Sequence, residues 1–381
     1  MKTIRTLHLA SFDGNIGDNA NHNGMYGVWE KYLDLRFDVK ELEIREFHWK
    51  QRFFDQDLVE LFNSYDLVVI GGGNYFELWV ERSRTGTTID LPVELLSKIE
   101  TPIFFNALGC DPYKGASEAN VVKFKKFLDF TSASEKFFLT VRNDGSMKNI
   151  RRHLGEKYLG FFTEIPDGGF FVNVEDHYHH ELKNDSINIA INLAGDMPEF
   201  RYPTEYGYAD FVKEFSSFMA DLSRSERGVN FVFVPHIFRD LSVIADVLAL
   251  LQDDIRRRHV SVAPYLHGPG SEKIIFDLYK KADLAMGMRF HANVCPIGLG
   301  TPSVALLTYP KVSDLLEEIG LQDRSVVVNE RGFSKMLFEK TMSSLRHSKE
   351  IREQYFNLRG RLDDEMSTFM RGFSSWLSLK V

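Results

Sequence analysis

The chain has 381 residues, of which 44% are hydrophobic and 26% are charged, and its formal net charge is −8. This length predicts about two to three domains, and the composition is typical of a globular protein whose core needs no metal or disulfide. The negative net charge argues against a general nucleic-acid-binding surface. An anionic substrate would therefore have to be held by a few local cations.

The sequence shows no sign of export or of membrane insertion. The first ten residues, 1–10, are too short and too polar for a signal peptide, and no apolar run approaches the length of a membrane span. The two cysteines, Cys110 and Cys295, lie in apolar surroundings, as is typical of buried free thiols in a reducing compartment. We therefore expect a cytoplasmic protein.

The first half of the chain repeats one pattern, in which an apolar run rich in β-forming residues ends in a polar residue or Gly and a helix follows. A helix is predicted from the turn at residues 13–18 to about residue 35. The predicted strands are residues 3–11, 67–70, 102–105 and 137–141. The run at 67–70 is of the kind that is buried on both faces of a parallel sheet. This alternation indicates βαβ units with right-handed crossovers.

A polar segment rich in Gly and His, at residues 167–185, separates this series from a second one. The strands predicted beyond it are residues 187–191, 229–234, 260–262 and 304–307, and one long amphipathic helix is predicted at 348–377. The predicted fold is α/β, with two Rossmann-like domains that have parallel sheets and face a cleft, as in the GT-B architecture. The predicted domains are residues 1–175 and 186–345, and residues 346–381 cross back onto the first domain.

The most informative segment is Met288-Arg289-Phe290-His291-Ala292, which follows an apolar run that ends at Gly287. The pattern indicates a strand, a tight turn and a short helix. Ligands of open α/β sheets bind where strands pass into helices. An arginine there can clamp a phosphate or carboxylate with two hydrogen bonds, and a histidine can move a proton near neutral pH.

Several motifs, in this order along the chain, resemble those of polysaccharide pyruvyltransferases. The segment Arg289-Phe290-His291-Ala292 is similar to the family's Arg-Leu-His-Ala, with Phe290 in place of Leu, and a Gly-x-Pro turn follows it at residues 300–302. The other motifs are Gly14-Asn15-Ile16-Gly17-Asp18, Gly71-Gly72-Gly73, Arg142 with Ser146 (Asn143 stands where the family has Asp), and His236 with Asp240. The resemblance covers residues 14 to 302 and hence most of the chain.

The resemblance implies that phosphoenolpyruvate is the donor and that its three-carbon unit is joined to two hydroxyls of a glycan sugar as a ketal, with release of phosphate. It implies catalytic roles for Arg142, Arg289 and His291. The two arginines would come from different halves and hold the donor across the cleft. His291 would be a general acid or would hydrogen-bond the departing phosphate. The substrate-binding residues would be Gly14, Asn15, Gly17, Asp18, Gly72, Gly73, Asn74, His236, Asp240 and Phe290.

The same resemblance implies that the acceptor is a glycan or a lipid-linked oligosaccharide. No cofactor is expected besides the donor substrate, and no metal, because no His, Cys or carboxylate cluster near the motif has ligand spacing. Nucleic acid is not expected as a partner, whereas a homo-oligomer is compatible with the sequence. His177, His179 and His180 fit no zinc signature and are expected in a solvated loop.

Structural explanations remain open for each of these residues. Arg289 could be an ion-paired arginine, and Arg142 could pair with Asp144 at the start of a helix. His291 could merely cap the helix that follows it. The residue 14–18 turn, the three glycines at 71–73, and His236 with Asp240 could serve packing and hydrogen bonding alone. Two other functions also remain open, a GT-B glycosyltransferase that uses a nucleotide sugar and a non-catalytic glycan-binding protein.

Overall fold

The computed structural model describes residues 2–202, 205–226 and 228–381, and its contacts divide the chain into two compact units. The first unit comprises the residues up to Phe12, Tyr26–Gly168 and Leu362–Val381. The second unit comprises Asp13–Met25 and Gly169–Arg361. Among the described helices, none is both long and apolar enough to cross a membrane.

The first unit is built on a parallel sheet of six strands with the order β2-β1-β3-β5-β7-β8. Its strands are β1 (Lys2–Ala10), β2 (Leu35–Glu43), β3 (Leu67–Gly71), β4 (Phe76–Glu77), β5 (Ile103–Leu108), β6 (Cys110–Asp111), β7 (Phe137–Arg142) and β8 (Thr163–Ile165). Its helices are part of α1 (Ile16–Tyr32), then α2 (Arg45–His48), α3 (Gln56–Asn63), α4 (Val93–Leu96), α5 (Glu118–Ser132) and α6 (Ser146–His153). The short strands β4 and β6 pair separately.

The second unit has its own parallel six-stranded sheet, with the order β11-β10-β9-β12-β13-β14. Its strands are β9 (Ile187–Asn192), β10 (Val229–Phe233), β11 (Val260–Val262), β12 (Leu284–Gly287), β13 (Ser303–Leu307) and β14 (Ser325–Val327). Its helices are α7 (Pro198–Arg201), α8 (Tyr208–Ser225), α9 (Asp240–Leu250), α10 (Asp253–His259), α11 (Ser271–Lys281), α12 (His291–Leu299), α13 (Pro310–Glu318), α14 (Phe333–Arg346) and part of α15 (Ser348–Ser378).

The predicted fold class is confirmed, because each unit is an α/β unit with a parallel sheet, and each strand predicted above corresponds to an observed one. The strand β2 was not predicted. Its first six residues alternate between apolar and polar side chains, and Leu42 is its one buried residue, because β2 lies at the edge of the sheet. A search for continuous apolar runs finds central strands such as β3 and passes over such an edge strand.

The predicted return of the C-terminal helix to the first unit is also confirmed. In the C-terminal half of α15, Phe373 packs on Phe104, with the ring centroids 4.5 Å apart, and Trp376 packs on Phe138, with the centroids 5.2 Å apart. The indole N–H of Trp376 donates a hydrogen bond to the carbonyl of Glu135. Aromatic burial therefore attaches this half of the helix to the sheet of the first unit.

Both cysteines have free thiols and are buried. Cys110 lies in β6 of the first unit, where it is 3% exposed, and Cys295 lies in α12 of the second unit, where it is fully buried. Small apolar thiols of this kind pack as core residues.

Candidate functional site

The turn between β12 and α12 carries the Arg-Phe-His segment at the carboxyl end of the second sheet, as the sequence predicts. The four residues of β12 are buried and the strand ends at Gly287. A Cβ at Gly287 would lie 2.4 Å from the carbonyl oxygen of Ala292, so only glycine permits this tight turn. The Asn293 amide donates hydrogen bonds to the carbonyls of Gly287 and Arg289, and these bonds fix the turn.

The guanidinium of Arg289 is held between two carboxylates. Its Nε donates to Asp240 Oδ2 at 2.8 Å, and its Nη2 donates to Asp240 Oδ1 and, at 2.8 Å, to Asp196 Oδ1. Its Nη1 has no hydrogen-bond partner among the residues that the structure describes, and its side chain is 12% exposed. Arg289 is therefore ion-paired, which is the structural explanation that the sequence left open. Its Nη1 is still available to a ligand.

Asp240 is the fixed partner of Arg289. It lies in the first turn of α9 and is fully buried, and its carboxylate accepts hydrogen bonds from the backbone N–H groups of Gly195, His236 and Ile237. Burial alone would raise the pKa of Asp240, but Arg289 and these N–H groups outweigh it and hold the pKa below its ordinary value. All of these contacts are internal, and direct contact of Asp240 with a substrate stays a prediction.

His236 follows β10 and is buried. Its Nε2 is 3.0 Å from the hydroxyl of Tyr279, whereas its Nδ1 is buried without a hydrogen-bond partner among the described residues. Burial lowers the pKa of His236 to about 3, although Asp240 acts in the opposite direction. The imidazole is therefore neutral at physiological pH, which suits a hydrogen-bonding role.

The N-terminal glycine turn meets the Arg-Phe-His segment within the second unit. Gly14 has a φ of 86°, and the Asn15 side chain accepts a hydrogen bond from the N–H of Gly17. A Cβ at Gly17 would lie 2.7 Å from both Cβ and Nδ1 of His291. His291 Nδ1 is also 3.9 Å from Asp18 Oδ1. The turn therefore forms one wall against the imidazole.

Phe290 completes this part of the site. Its ring lies edge-on to the imidazole of His291, with centroids 5.3 Å apart, and the ammonium of Lys311 is 5.2 Å from the centroid of the Phe290 ring. Cation–π contacts of this kind hold a positive charge beside an aromatic face. The second unit thus brings together nine of the predicted site residues, which are Gly14, Asn15, Gly17, Asp18, His236, Asp240, Arg289, Phe290 and His291.

The other predicted residues belong to the first unit. A Cβ at Gly71 would lie 2.4 Å from the carbonyl oxygen of Asn106, and one at Gly73 would lie 2.5 Å from the Tyr75 ring, so at least two of the three glycines permit close packing. Asn74, the residue after these glycines, donates a hydrogen bond to the carboxylate of Asp111 at 3.0 Å. Gly72 also belongs to this turn, and its N–H donates to Asn106.

Arg142, at the end of β7, is buried between carboxylates much as Arg289 is. Its Nε donates to Asp144 Oδ2 at 2.7 Å and its Nη1 donates to Asp167 Oδ2 at 3.1 Å. The pairing with Asp144 that the sequence left open is therefore present. Because Arg142 and Arg289 belong to different units, their joint action on one donor stays a prediction.

One sequence interpretation is wrong. His179 does not lie in a solvated loop: it is 8% exposed, and its Nε2 is 2.9 Å from Asp277 Oδ2 on α11. The sequence could not reveal this, because the partner lies 98 positions away. Among the residues that the structure describes, no three His, Cys, Asp or Glu side chains are grouped so as to hold a metal ion.

Two charged residues near Arg289 were not predicted from the sequence, Asp196 and Arg201. The Nη2 of Arg201 donates to Asp196 Oδ1 at 3.2 Å, and its Nη1 donates to Thr308 Oγ1 at 3.1 Å. The signal that could have found Asp196 is its place four residues after the end of β9, at the same sheet edge as the other strand-end residues.

Solved structures of several other proteins share the fold over nearly the whole chain, and three of them illustrate the likeness. A protein assigned as UDP-N-acetylglucosamine 2-epimerase from Listeria monocytogenes has a TM-score of 0.58 and 10% identity, covering 93% of this chain and 90% of its own. The N-terminal domain of Candida albicans trehalose-6-phosphate phosphatase has a TM-score of 0.55 and 12% identity, with 98% and 97% covered. Trehalose-6-phosphate synthase OtsA has a TM-score of 0.52 and 10% identity, with 99% of each chain covered.

These neighbours have the GT-B architecture, and at such low identity the likeness shows the fold alone. No curated protein gives a significant match to the sequence. The family model described as polysaccharide pyruvyl transferase matches residues 15–309, which include Arg142, His236, Asp240, Arg289 and His291. The chain therefore belongs to the polysaccharide pyruvyl transferase family, a family of transferases that act on polysaccharides.

Proposed function

We propose that the protein transfers the three-carbon unit of phosphoenolpyruvate to two hydroxyls of one sugar in a glycan or lipid-linked oligosaccharide, forming a pyruvate ketal and releasing phosphate. The observation that carries this proposal is the contact of His291 with Gly17. It brings together two segments that resemble motifs of the family, and the two residues lie 274 positions apart (291 − 17), both within the matched residues 15–309. A basic side chain, an imidazole and a glycine turn then lie at one sheet edge, where ligands of α/β units bind.

The proposed reaction needs a proton at one carbon and an attack at its neighbour. One sugar hydroxyl adds to C2 of phosphoenolpyruvate while C3 is protonated to a methyl group. The second hydroxyl then displaces phosphate from C2, which closes the ketal. The two hydroxyl protons balance the methyl group and the hydrogen phosphate. His291 fits the proton transfer to C3, because an imidazole can give and take protons near neutral pH.

Arg289 fits the recognition of the anionic donor. Asp240 holds its Nε and Nη2, so the guanidinium is fixed before any ligand arrives, and Nη1 is left for an anionic oxygen. A fixed charge loses little conformational freedom on binding, which favours affinity. Arg142, held by Asp144 and Asp167, would also supply a fixed positive charge.

The decisive experiment is a phosphate-release assay with phosphoenolpyruvate and a panel of sugar and oligosaccharide acceptors, with mass spectrometry of the products. The proposal expects a product that is heavier by one pyruvate ketal, equal release of phosphate, and activity that persists in a metal chelator. Thermal-shift titrations with nucleotide sugars test the alternative donor class. Stabilisation by a nucleotide sugar, with no ketal product from any acceptor, would show that the fold serves a glycosyltransferase instead.

A further inference from the structure

Four charged side chains in the second unit form a chain of alternating sign. Asp240 holds Arg289, Arg289 Nη2 also donates to Asp196 Oδ1 at 2.8 Å, and Arg201 Nη2 donates to the same Asp196 oxygen at 3.2 Å. Asp196 therefore bridges two arginines through a single oxygen atom. The formal charges of the four side chains cancel.

The two carboxylates that contact Arg289 are held very differently. Asp240 is fully buried and accepts hydrogen bonds from three backbone N–H groups, so it cannot leave without exposing unpaired donors. The Asp196 side chain is 21% exposed, and the side chains that bind it are Arg289 and Arg201. Of the two partners of Arg289, Asp196 is therefore the one that can exchange.

The residues on either side of Asp196 have restricted backbone conformations, which fix the position of its carboxylate. A Cβ at Gly195 would lie 2.0 Å from the carbonyl oxygen of Arg239, and Met197 has a φ of 54°, a conformation that side-chain-bearing residues rarely adopt. The Arg201 Nε also donates to the carbonyl of Asp196. Such local strain persists where the surrounding structure holds it, and it is concentrated at functional sites.

We propose that Asp196 is an internal counter-ion of Arg289 which an incoming anionic group of the donor displaces, and that Arg201 then retains the Asp196 carboxylate. This inference rests on the proposed function, because it concerns how the same site admits an anion. The anion takes over the position of Asp196 Oδ1 at Nη2 of Arg289 and also reaches Nη1. Arg201 is a positioning residue in this scheme and does not touch the donor.

The charges explain why such an exchange is useful. An empty site that held two buried arginines with only Asp240 would carry an unbalanced positive charge, which is costly to bury and attracts any small anion. With Asp196 in place, the empty site is neutral. An anion that offers only one weak contact does not displace it, whereas one that binds Nη1 and Nη2 together does.

The test uses Asp196→Asn, which keeps the shape of the side chain and removes its charge. Titration calorimetry with inorganic phosphate and with phosphoenolpyruvate is expected to give dissociation constants at least about tenfold lower than for the wild type, as expected when a buried competing charge is lost. The matched control is Glu199→Gln, which makes the same charge change at an exposed position three residues further along. This control should bind phosphate as the wild type does.

Arg201→Gln provides the second arm. Without Arg201 to retain it, Asp196 stays on Arg289, so phosphate binding should weaken in Arg201→Gln and return to the Asp196→Asn value in the double variant.

Unchanged or weaker phosphate binding in Asp196→Asn overturns the inference, as does an equal gain in Glu199→Gln. If Asp196→Asn binds phosphate tighter but no variant forms a ketal product, the proposed function fails while the inference stands. If the wild type forms the ketal but Asp196→Asn shows no gain, the inference alone fails.

Discussion

At the scale of single residues, His291 is constrained more tightly by its neighbours than its place at the start of α12 would suggest. It packs on the backbone of Gly17 and lies 3.9 Å from the carboxylate of Asp18. An imidazole held on two sides keeps one orientation, which a group that transfers a proton to a defined carbon requires.

Replacing His291 separates proton transfer from hydrogen bonding. We expect His291→Ala to lower kcat by about 100-fold or more, the usual contribution of a positioned acid or base, and to change the Kd for phosphoenolpyruvate much less. His291→Asn should not restore turnover if the residue transfers a proton. Partial recovery in His291→Asn would assign the side chain to hydrogen bonding with the departing phosphate. Steady-state kinetics on folded variants gives the answer.

Replacing Gly17 by Ala tests the same contact from the other side. The new methyl group would lie 2.7 Å from Cβ and Nδ1 of His291, so the imidazole or the turn must move. A shift of about 1 Å in a catalytic group can lower the rate by about 100-fold. We therefore expect a large loss of kcat in a variant whose circular dichroism is unchanged. Gly360→Ala on α15, where a Cβ meets no atom within 4 Å, is the control and should keep full activity.

The sequence was sufficient to predict where Arg289 and His291 lie in the fold, but not which side chains they contact. Arg289 and His291 follow an apolar strand, and this local pattern predicted their position at a sheet edge. The contacts of Arg289 with Asp196 and Asp240 join residues 93 and 49 positions apart, and no local pattern encodes such pairs. Which face of an arginine fork is available therefore becomes known only from the folded chain.

At the scale of secondary structure elements, the longer strands differ in how far the sequence revealed them. The central strand β3 is buried at all five positions and was found from its composition, whereas the half-exposed edge strand β2 was not. The long helix α15 was found from its amphipathic period, because one face is apolar along its length. Substitutions on this apolar face can therefore test how much the packing of α15 contributes to the stability of the protein.

Phe373 in α15 is fully buried against Phe104 of the first unit. We expect Phe373→Ala to lower the free energy of unfolding by about 3–5 kcal/mol, because it removes the buried ring and leaves a cavity. Phe356, on the same helix, is 78% exposed, and Phe356→Ala should change stability by less than about 0.5 kcal/mol. Urea unfolding monitored by far-ultraviolet circular dichroism compares them, and equal midpoints for the two variants would contradict this account of α15.

At the scale of the whole molecule, two buried histidines make stability depend on pH. Burial lowers the pKa of His8 to about 4, against a hydrogen bond with the carbonyl of Gly71, and that of His236 to about 3, from an ordinary value of 6.5. At a pH between the lowered pKa of each histidine and 6.5, the unfolded chain binds more protons than the native protein does. Their contribution is therefore fully present above pH 6.5 and is lost as the pH falls from 6.5 towards 4.

We expect the free energy of unfolding to fall between pH 7 and pH 4.5 by roughly 2.5 kcal/mol for each of these two histidines. His8→Gln should lower stability at pH 7 and make the decline with pH shallower, because the titrating group is gone. His48→Gln, at an exposed position, should leave the decline unchanged. Chemical unfolding at a series of pH values measures these slopes, and parallel curves for His8→Gln and the wild type would refute the assignment.

Each compact unit contains one buried thiol, Cys110 in the first and Cys295 in the second. A thiol-alkylating reagent reaches either sulfur only while the surrounding structure is open, so its rate of reaction measures local opening. Because the two cysteines lie in different peptides after proteolytic digestion, mass spectrometry can follow both rates in one sample. The two native thiols of the wild-type chain therefore report which of the two units opens first, and no label has to be introduced.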